Sequence, residues 1–172
     1  MIMLRPLKEK DAEYMLEWMH EKETAEVFQK DMSSMTLEKA KEFCTANSEY
    51  GDISNGDSIH FAIVDDSDDE YRGTISLKNI DFDNLSAEYA ISVRKKFQGS
   101  GTASEATKLV LEKAMKGYGL HRVYLNVLST NKKAIRFYEK SGFQYEGVSR
   151  DGIKKNGKFV DLLWYSMLSL TC

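Results

Sequence analysis

A short segment with two glycines, set between two regular elements, limits the fold of this chain more than any other stretch. Residues 86–93 favour a β-strand, because β-branched and aromatic residues recur there without helical spacing. Gly99 and Gly101 follow, and the next apolar residues recur at helical spacing over 103–115. A second strand is predicted at 122–127, parallel to the first because a helix connects the two. We therefore expect a strand, a glycine loop, a helix and a strand in succession.

The glycine loop is suited to bind a phosphate group. Glycine lets the backbone turn sharply and approach a ligand, and the start of a helix offers free N–H groups and the positive end of its dipole. A P-loop would need Lys and then Ser or Thr after its last glycine, whereas Thr102 and Ala103 follow Gly101. A dinucleotide fingerprint would need an acidic residue at the end of the next strand, and 122–127 has none. The pattern that remains is Gln98-x-x-Gly101-x-Ala103.

Two motifs of the sequence resemble those of the GNAT N-acetyltransferases. The pattern from Gln98 to Ala103 resembles the loop that binds the acetyl-CoA pyrophosphate in that family. Residues 131–143 contain Asn, Ala, Tyr-Glu and Gly-Phe at offsets similar to those of the family's second motif. The motifs occur in the right order, separated by a helix and a strand. The resemblance is therefore specific, and it extends over nearly the whole chain.

The resemblance implies a fold, a donor substrate and a set of residues that bind it. The fold is α/β (α+β), a single domain over 1–172 with a mixed, centrally splayed β-sheet of six to seven strands and about four helices. The donor is acetyl-CoA. Its pyrophosphate would bind the loop amides, and Asn131 would hold its pantetheine. Its thioester oxygen would accept a hydrogen bond from an N–H near Ile91 to Val93. No metal is implied. The coenzyme-binding residues expected are Ile91, Ser92, Val93, Gln98, Gly99, Ser100, Gly101, Thr102, Ala103 and Asn131.

Two side chains are candidates for proton transfer. Tyr138 is the expected general acid, since a phenol stays neutral at pH 7 and can protonate a departing thiolate. Glu88 is the expected general base, because it lies on the central strand just before the acetyl site. The alternatives are a packed aromatic ring for Tyr138 and an exposed salt bridge for Glu88. Glu88 and Ala90 share one side of the strand, and the sequence leaves open whether that side faces the acceptor.

The acceptor is expected to be a small primary amine, and two sequence features point to different ones. Residues 4–7, 145–150 and 157–161 resemble the branch of ribosomal-protein, polyamine and amino-sugar acetyltransferases. Residues 134–140 together with that C-terminal segment are most similar to the amino-sugar group. A nucleotide-linked amino sugar would use cations at the groove, whereas a polyamine would use the acidic loop 47–57. A non-catalytic acetyl-CoA-binding module is a further alternative. The candidates are Arg150, Lys154 and Lys155 for the cations, Glu49, Asp52 and Asp57 for the acidic loop, and Phe28, Tyr50 and His60 for the groove wall.

The rest of the chain supplies further strands and helices. The acidic turn 65–70 lacks the glycine and the terminal Glu of a calcium loop, so it is interpreted as a charged hairpin tip. Asn156-Gly157 predicts a type I′ turn. The remaining elements predicted are helices at 8–21, 36–44 and 131–140, an irregular segment at 24–32, and strands starting at Leu4 and spanning 59–64, 71–77, 147–155 and 158–168.

Composition limits the partners and the compartment. A net charge of -3 without a basic stripe argues against nucleic acid, and the cluster 94–96 is expected where a polyphosphate would bind. No segment is apolar enough to cross a membrane and the N-terminus has no signal-peptide pattern, so a cytoplasmic location is expected. Cys44 and Cys172 lack metal-ligand spacing and predict no disulfide. The sequence does not fix the oligomeric state, and a homodimer is left open.

Overall fold

A single twisted sheet organises the computed structural model, which describes residues 1–170. Its seven strands are arranged in the order β1-β2-β3-β4-β5-β7-β6, and all neighbours are antiparallel except β4 and β5, which are parallel. This confirms the mixed sheet of six to seven strands. The strands are β1 (Ile2–Pro6), β2 (Ile59–Asp65), β3 (Gly73–Asp81), β4 (Ser86–Val93), β5 (Arg122–Leu128), β6 (Gln144–Lys155) and β7 (Lys158–Leu168).

Five α-helices cover the two faces of this sheet, where about four were expected. They are α1 (Ala12–Met19), α2 (Lys22–Val27), α3 (Leu37–Ala46), α4 (Thr102–Glu112) and α5 (Lys132–Lys140). Short 3₁₀ turns occur at Glu9–Asp11 and Lys95–Phe97, and a π-helical turn, Lys113–Gly117, extends α4. The helix expected at 8–21 is thus divided, and part of the segment expected to be irregular is helical. α2 buries no side chain, so it has no apolar periodicity by which the sequence could reveal it.

The sheet opens at its centre, as the expected splay requires. β4 and β5 pair through Ser86↔Arg122, Ala87↔Val123 and Glu88↔Tyr124, and the pairing then stops. β5 instead follows β7 along its whole length, to the pair Leu128↔Leu162. The second halves of β4 and β5 therefore separate and leave an opening between them.

Each face of the sheet has its own apolar core, because alternate residues of a strand point to opposite sides. In β2, Phe61 and Ile63 pack with α4, whereas Ala62 and Val64 pack with α1 and α3. Buried Cys44 belongs to the second core, and burial raises the pKa of its thiol to about 12. Cys172 lies outside the described residues.

Two turns behave as the sequence predicts. Asn156 and Gly157 both have positive φ, 50° and 77°, as a type I′ turn requires, and they join β6 to β7. The acidic turn after β2 is a charged hairpin tip, in which Asp69 accepts hydrogen bonds from Arg5, Lys8 and Lys10. These cations lower the pKa of the Asp69 carboxyl. No helix within 1–170 has the length and apolarity needed to cross a bilayer.

Candidate active site

The start of α4 presents a row of unused backbone donors. Gly99 and Gly101 have φ of 77° and 85°, a left-handed conformation that glycine adopts without strain. Gly101 is the N-cap residue, and it offers no side chain to the helix. Within the described chain, none of the amides of residues 99–104 donates a hydrogen bond to a carbonyl. Six consecutive amides and the helix dipole together make a site for an anion.

Gln98 has a different place in this loop from the one expected. Its backbone N–H already donates to the Lys95 carbonyl at 3.1 Å, so the row of free amides begins one residue later. Its side chain donates to the Val93 carbonyl at 3.0 Å and accepts from Lys133 Nζ at 2.9 Å. Gln98 therefore links the end of β4 to the start of α5 through its side chain.

The sequence predicted that the basic cluster 94–96 lies where a polyphosphate binds, but the structure pairs it with acidic side chains elsewhere. Arg94 is 3% exposed, and it donates to Glu17 at 2.8 Å and to Glu70 at 2.7 Å. Lys96 also pairs with Glu70, and Lys95 pairs with Glu21. The cluster thus links α1 and the β2–β3 connection to the end of β4, and the acidic partners neutralise its positive charge.

The backbone of β4 alternates between its two neighbours. Arg94 N–H donates to the Arg72 carbonyl at 2.8 Å, which places this pair among the hydrogen-bonded pairs of the β3–β4 ladder. By alternation Ser92 also bonds toward β3, whereas Ile91 and Val93 point toward β5, which has diverged. The N–H groups of Ile91 and Val93 therefore face the opening. The backbone N–H of Ser92, expected among the donors, does not.

A cavity of about 580 Å³ passes through this opening and is lined from both faces of the sheet. From the α1–α3 face it is lined by Phe28 and His60, two of the expected wall residues, and by Glu88. Tyr138 and Asn131 line it from α5, on the other face. The side of β4 that bears Glu88 therefore does face the N-terminal helical wall.

Several residues expected near the acceptor lie elsewhere. Tyr50 packs edge-on against Phe61 at 5.1 Å and does not line the cavity. Lys155 donates a hydrogen bond to the carbonyl of Phe28, a residue that lines the cavity, but Lys155 itself does not line it. The other expected cations and the three expected acidic groups of the loop 47–57 are also absent from the lining, namely Arg150, Lys154, Glu49, Asp52 and Asp57.

Glu88 is held by two partners that the sequence did not reveal. Asn126 Nδ2 donates to one carboxylate oxygen at 2.8 Å, and Lys78 Nζ lies 3.1 Å from the other. Gln29 in turn donates to Asn126 Oδ1. The side chain of Glu88 is 15% exposed, so the carboxylate is oriented but still reaches the cavity. The salt bridge considered for Glu88 exists, and it lies inside the cavity.

Tyr138 is packed within an aromatic cluster and lines the opening. Its ring contacts Tyr89 at 5.9 Å and Phe143 at 6.0 Å, both nearly edge-on. Burial raises the pKa of Tyr138 to about 12, so the phenol is neutral at pH 7. No described side chain hydrogen-bonds its hydroxyl, which leaves the O–H free to donate into the cavity. Tyr138 thus packs in an aromatic cluster, as the alternative interpretation held, and also lines the cavity.

Asn131 and His60 have local partners as well. Asn131 Oδ1 accepts from Ala134 N–H at 3.3 Å and caps α5, so its amide nitrogen is the group left for a ligand. His60 Nδ1 lies 2.6 Å from Ser76 Oγ, and the ring packs on Phe43 at 4.9 Å. Burial, helped by the charge of Lys78, lowers the pKa of His60 to about 4. The imidazole is therefore neutral at pH 7.

Comparisons with known proteins agree with this geometry. The family model described as acetyltransferase (GNAT) domain matches residues 2–144. The probable N-acetyltransferase YjcK of Bacillus subtilis is 34% identical over 110 residues, which cover 63% of this chain and 61% of that protein. The spermidine N(1)-acetyltransferase of Escherichia coli K12 is 28% identical over 162 residues, covering 92% of this chain and 81% of the relative. The match to YdaF, a putative ribosomal N-acetyltransferase of B. subtilis, spans only 52% of that relative.

Solved structures show the same fold. The spermidine N-acetyltransferase of Vibrio cholerae, in complex with CoA and spermine, superposes with a TM-score of 0.83 at 23% identity, covering 97% of this chain and 95% of that one. A GNAT-family acetyltransferase of Bacillus anthracis gives a TM-score of 0.82 at 22% identity, covering 97% and 94%. At these identities the similarity concerns the fold.

Proposed function

Because the chain belongs to the GNAT acetyltransferase family, we propose that it transfers the acetyl group of acetyl-CoA to a primary amine. The observation that carries the proposal is the opening between β4 and β5 beside the free amides of residues 99–104. The amides would bind the pyrophosphate, and the thiol arm would pass through the opening. The N–H groups of Ile91 and Val93 would then meet the thioester oxygen, where negative charge develops during attack.

The two proton-transfer groups lie on opposite faces of the sheet but line one cavity. Glu88 would take a proton from the acceptor ammonium, directly or through water, so that a free amine can attack the thioester carbon. As the nitrogen–carbon bond forms and the carbon–sulfur bond breaks, Tyr138 would protonate the departing thiolate, and the second proton lost by the nitrogen as it becomes an amide would return through water to the Tyr138 phenolate. Asn126 orients the Glu88 carboxylate, and the aromatic cluster holds the ring of Tyr138. The presence of both groups in one cavity favours an enzyme over a non-catalytic binding module.

The proposed acceptor is a small amine other than a nucleotide-linked amino sugar. Of the relatives reported above, one is named a spermidine acetyltransferase, one a putative ribosomal acetyltransferase and one a probable N-acetyltransferase, and none is named for an amino sugar. Arg150 and Lys154, which were to bind the nucleotide phosphates, lie outside the lining of the cavity. The acidic loop, which was to bind a polyamine, lies outside it too.

The proposal is tested by following release of the CoA thiol from acetyl-CoA with a panel of amines. We expect release with at least one amine, and about a hundredfold lower turnover for Tyr138→Phe at unchanged acetyl-CoA affinity. Tyr145→Phe, at an exposed tyrosine of β6, is the matched control. For Glu88→Gln we expect a steeper rise of rate with pH, since less free amine forms near the thioester. Acetyl-CoA binding without release for any amine would instead support a binding module.

Normal turnover in Tyr138→Phe would reject its role as general acid, and an unchanged pH profile in Glu88→Gln would reject Glu88 as base.

A further inference from the structure

We infer that the acceptor of this site is a monoamine carried on an apolar group, and not a polyamine. The inference rests on the proposed function and names the substrate class of the same cavity. It follows from the side chains that face Glu88 across the cavity, from the charges among them, and from the contacts that hold them in place.

The wall opposite Glu88 is apolar apart from Gln29 and Lys30. It is formed by α1, by the end of α2, by the segment between α2 and α3, and by one residue of α3. We call it the methionine wall, and its members are Met15, Trp18, Met19, Val27, Phe28, Met32, Met35 and Phe43. Trp18 and Phe28 meet edge-on at 5.6 Å within it. Methionine fits irregular apolar groups well, because its side chain is unbranched and polarisable.

Five of the eight members of this wall keep exposed surface that a ligand could cover, and four of these five also pack against the second core. Met15, Trp18 and Met19 are buried, whereas Phe28, Met32 and the remaining members are only half-buried. A ligand that covers their exposed surface gains roughly 25 cal/mol for each Å² of apolar area removed from water. The wall therefore favours an acceptor with an apolar substituent next to its amine.

The described lining of the cavity offers one carboxylate to an ammonium group and none to a second. Glu88 is the single carboxylate of the lining among the described residues, and it is already shared with Lys78. Lys30 adds a second positive charge to the lining, and His60 is neutral. A distal ammonium of a polyamine would therefore lie against methionine and phenylalanine without a partner. Removing an unpaired charge from water is costly, so the wall discriminates against it.

Two contacts hold the methionine wall over the opening. Gln29 donates to Asn126 of β5, and Lys155 of β6 donates to the carbonyl of Phe28. The segment after α2 is thus fastened to the sheet from two directions. An apolar wall that is fixed before the ligand arrives binds without an added ordering cost.

The test compares hexylamine with cadaverine, a diamine with the same number of non-hydrogen atoms. The two differ at the far end only, where a methyl group replaces an ammonium group. We expect kcat/KM for hexylamine to exceed that for cadaverine, and that for spermidine, by at least about tenfold, since an unpaired buried charge costs more than 1.4 kcal/mol. Equal or higher kcat/KM for cadaverine or spermidine would overturn the inference.

A charge variant tests whether the methionine wall is the cause. Met32→Glu places a carboxylate in the wall at a half-buried position and should raise the cadaverine-to-hexylamine ratio about tenfold. Ser34→Glu adds the same charge to an exposed residue of the same segment, outside the lining, and should leave the ratio unchanged. Equal effects of the two variants would contradict the inference. If Met32→Glu does not fold, Met35→Glu places the charge in the same wall.

The failure of this inference can be distinguished from the failure of the proposed function. If no amine releases CoA, the transferase proposal fails, and calorimetric binding of hexylamine and cadaverine still decides which class of amine the cavity binds. Tighter binding of hexylamine supports the methionine wall as its site, and equal or tighter binding of cadaverine rejects it. If CoA is released but diamines are preferred, the transferase proposal stands and only the acceptor class is wrong.

Discussion

The two helices that begin beside the sheet opening start in opposite ways. α5 is capped by its own sequence, because Asn131 Oδ1 accepts from the Ala134 N–H at 3.3 Å. α4 begins at Gly101, which has no side chain to offer, and the amides of residues 99–104 find no carbonyl in the described chain. One helix start therefore has its own cap, and the other leaves its N–H groups without a carbonyl partner in the described chain. This difference supports the proposal that the coenzyme binds at the start of α4.

The uncapped start of α4 carries a stability cost that packing offsets. A glycine in place of a Ser, Thr, Asn or Asp cap typically costs a few tenths of a kcal/mol. α4 buries Ala106 and Val110 in the core. Burial of a side chain of the size of Val contributes about 1.5–3 kcal/mol, so the packing of Val110 alone exceeds the cost of the missing cap. A helix start can thus be left open for a ligand when the rest of the helix is well anchored.

The largest effect is expected when a side chain is added at the start of α4. We expect Gly101→Val to lower acetyl-CoA affinity at least about a hundredfold, because the side chain would lie on the anion side of the loop and disturb several charge-assisted hydrogen bonds. A Cβ at Gly101 meets no atom of the protein within 4 Å, so any loss reflects the ligand and the backbone strain. Calorimetry with acetyl-CoA measures the affinity.

Gly119→Val is the control for that strain. Gly119 also has positive φ, 69°, with nothing within 4 Å of its Cβ, and it lies at the far end of α4. Its variant should lose comparable stability and keep its affinity for acetyl-CoA. Equal losses of affinity in both variants, or no loss in either, would show that the loop does not bind the pyrophosphate.

A smaller effect is expected at the start of α5. Asn131→Ala removes the cap and should lower the free energy of unfolding by about 1 kcal/mol, whereas Asn131→Asp keeps an acceptor oxygen and should keep most of the stability. If the amide nitrogen also binds pantetheine, both variants should bind acetyl-CoA more weakly. Urea denaturation and calorimetry separate the two roles. Full stability in Asn131→Ala would contradict the cap, and undiminished affinity in both would remove Asn131 from the coenzyme site.

The features predicted correctly from the sequence are those encoded by neighbouring residues. The glycine loop, the helix after it, and the turn at Asn156-Gly157 depend on backbone preferences and periodicity that a short window contains. The opening of the sheet came from the family resemblance, and the pairing of β4 with β5 confirms it.

The features that were missed depend on contacts between distant residues. Gln29 and Asn126, which meet beside Glu88, are 97 positions apart, and no periodicity links them. Lys78 reaches Glu88 because β3 and β4 pair in a register that the sequence alone does not specify. The cluster 94–96 was predicted to bind the phosphate because it precedes the glycine loop in the chain. In the structure, Arg94 forms salt bridges with a glutamate of α1 and a glutamate of the turn after β2.

We propose that the amides of residues 99–104 bind the pyrophosphate of CoA while α5 keeps its Asn131 cap. Amide chemical shifts measured by NMR during titration with CoA, and then with pantetheine, test this proposal. We predict large shifts for Gly99, Gly101 and their neighbours up to Ser104 with CoA, none of comparable size with pantetheine, and little change for Ala134 with either. CoA binding that leaves the amides of 99–104 unshifted would contradict the account.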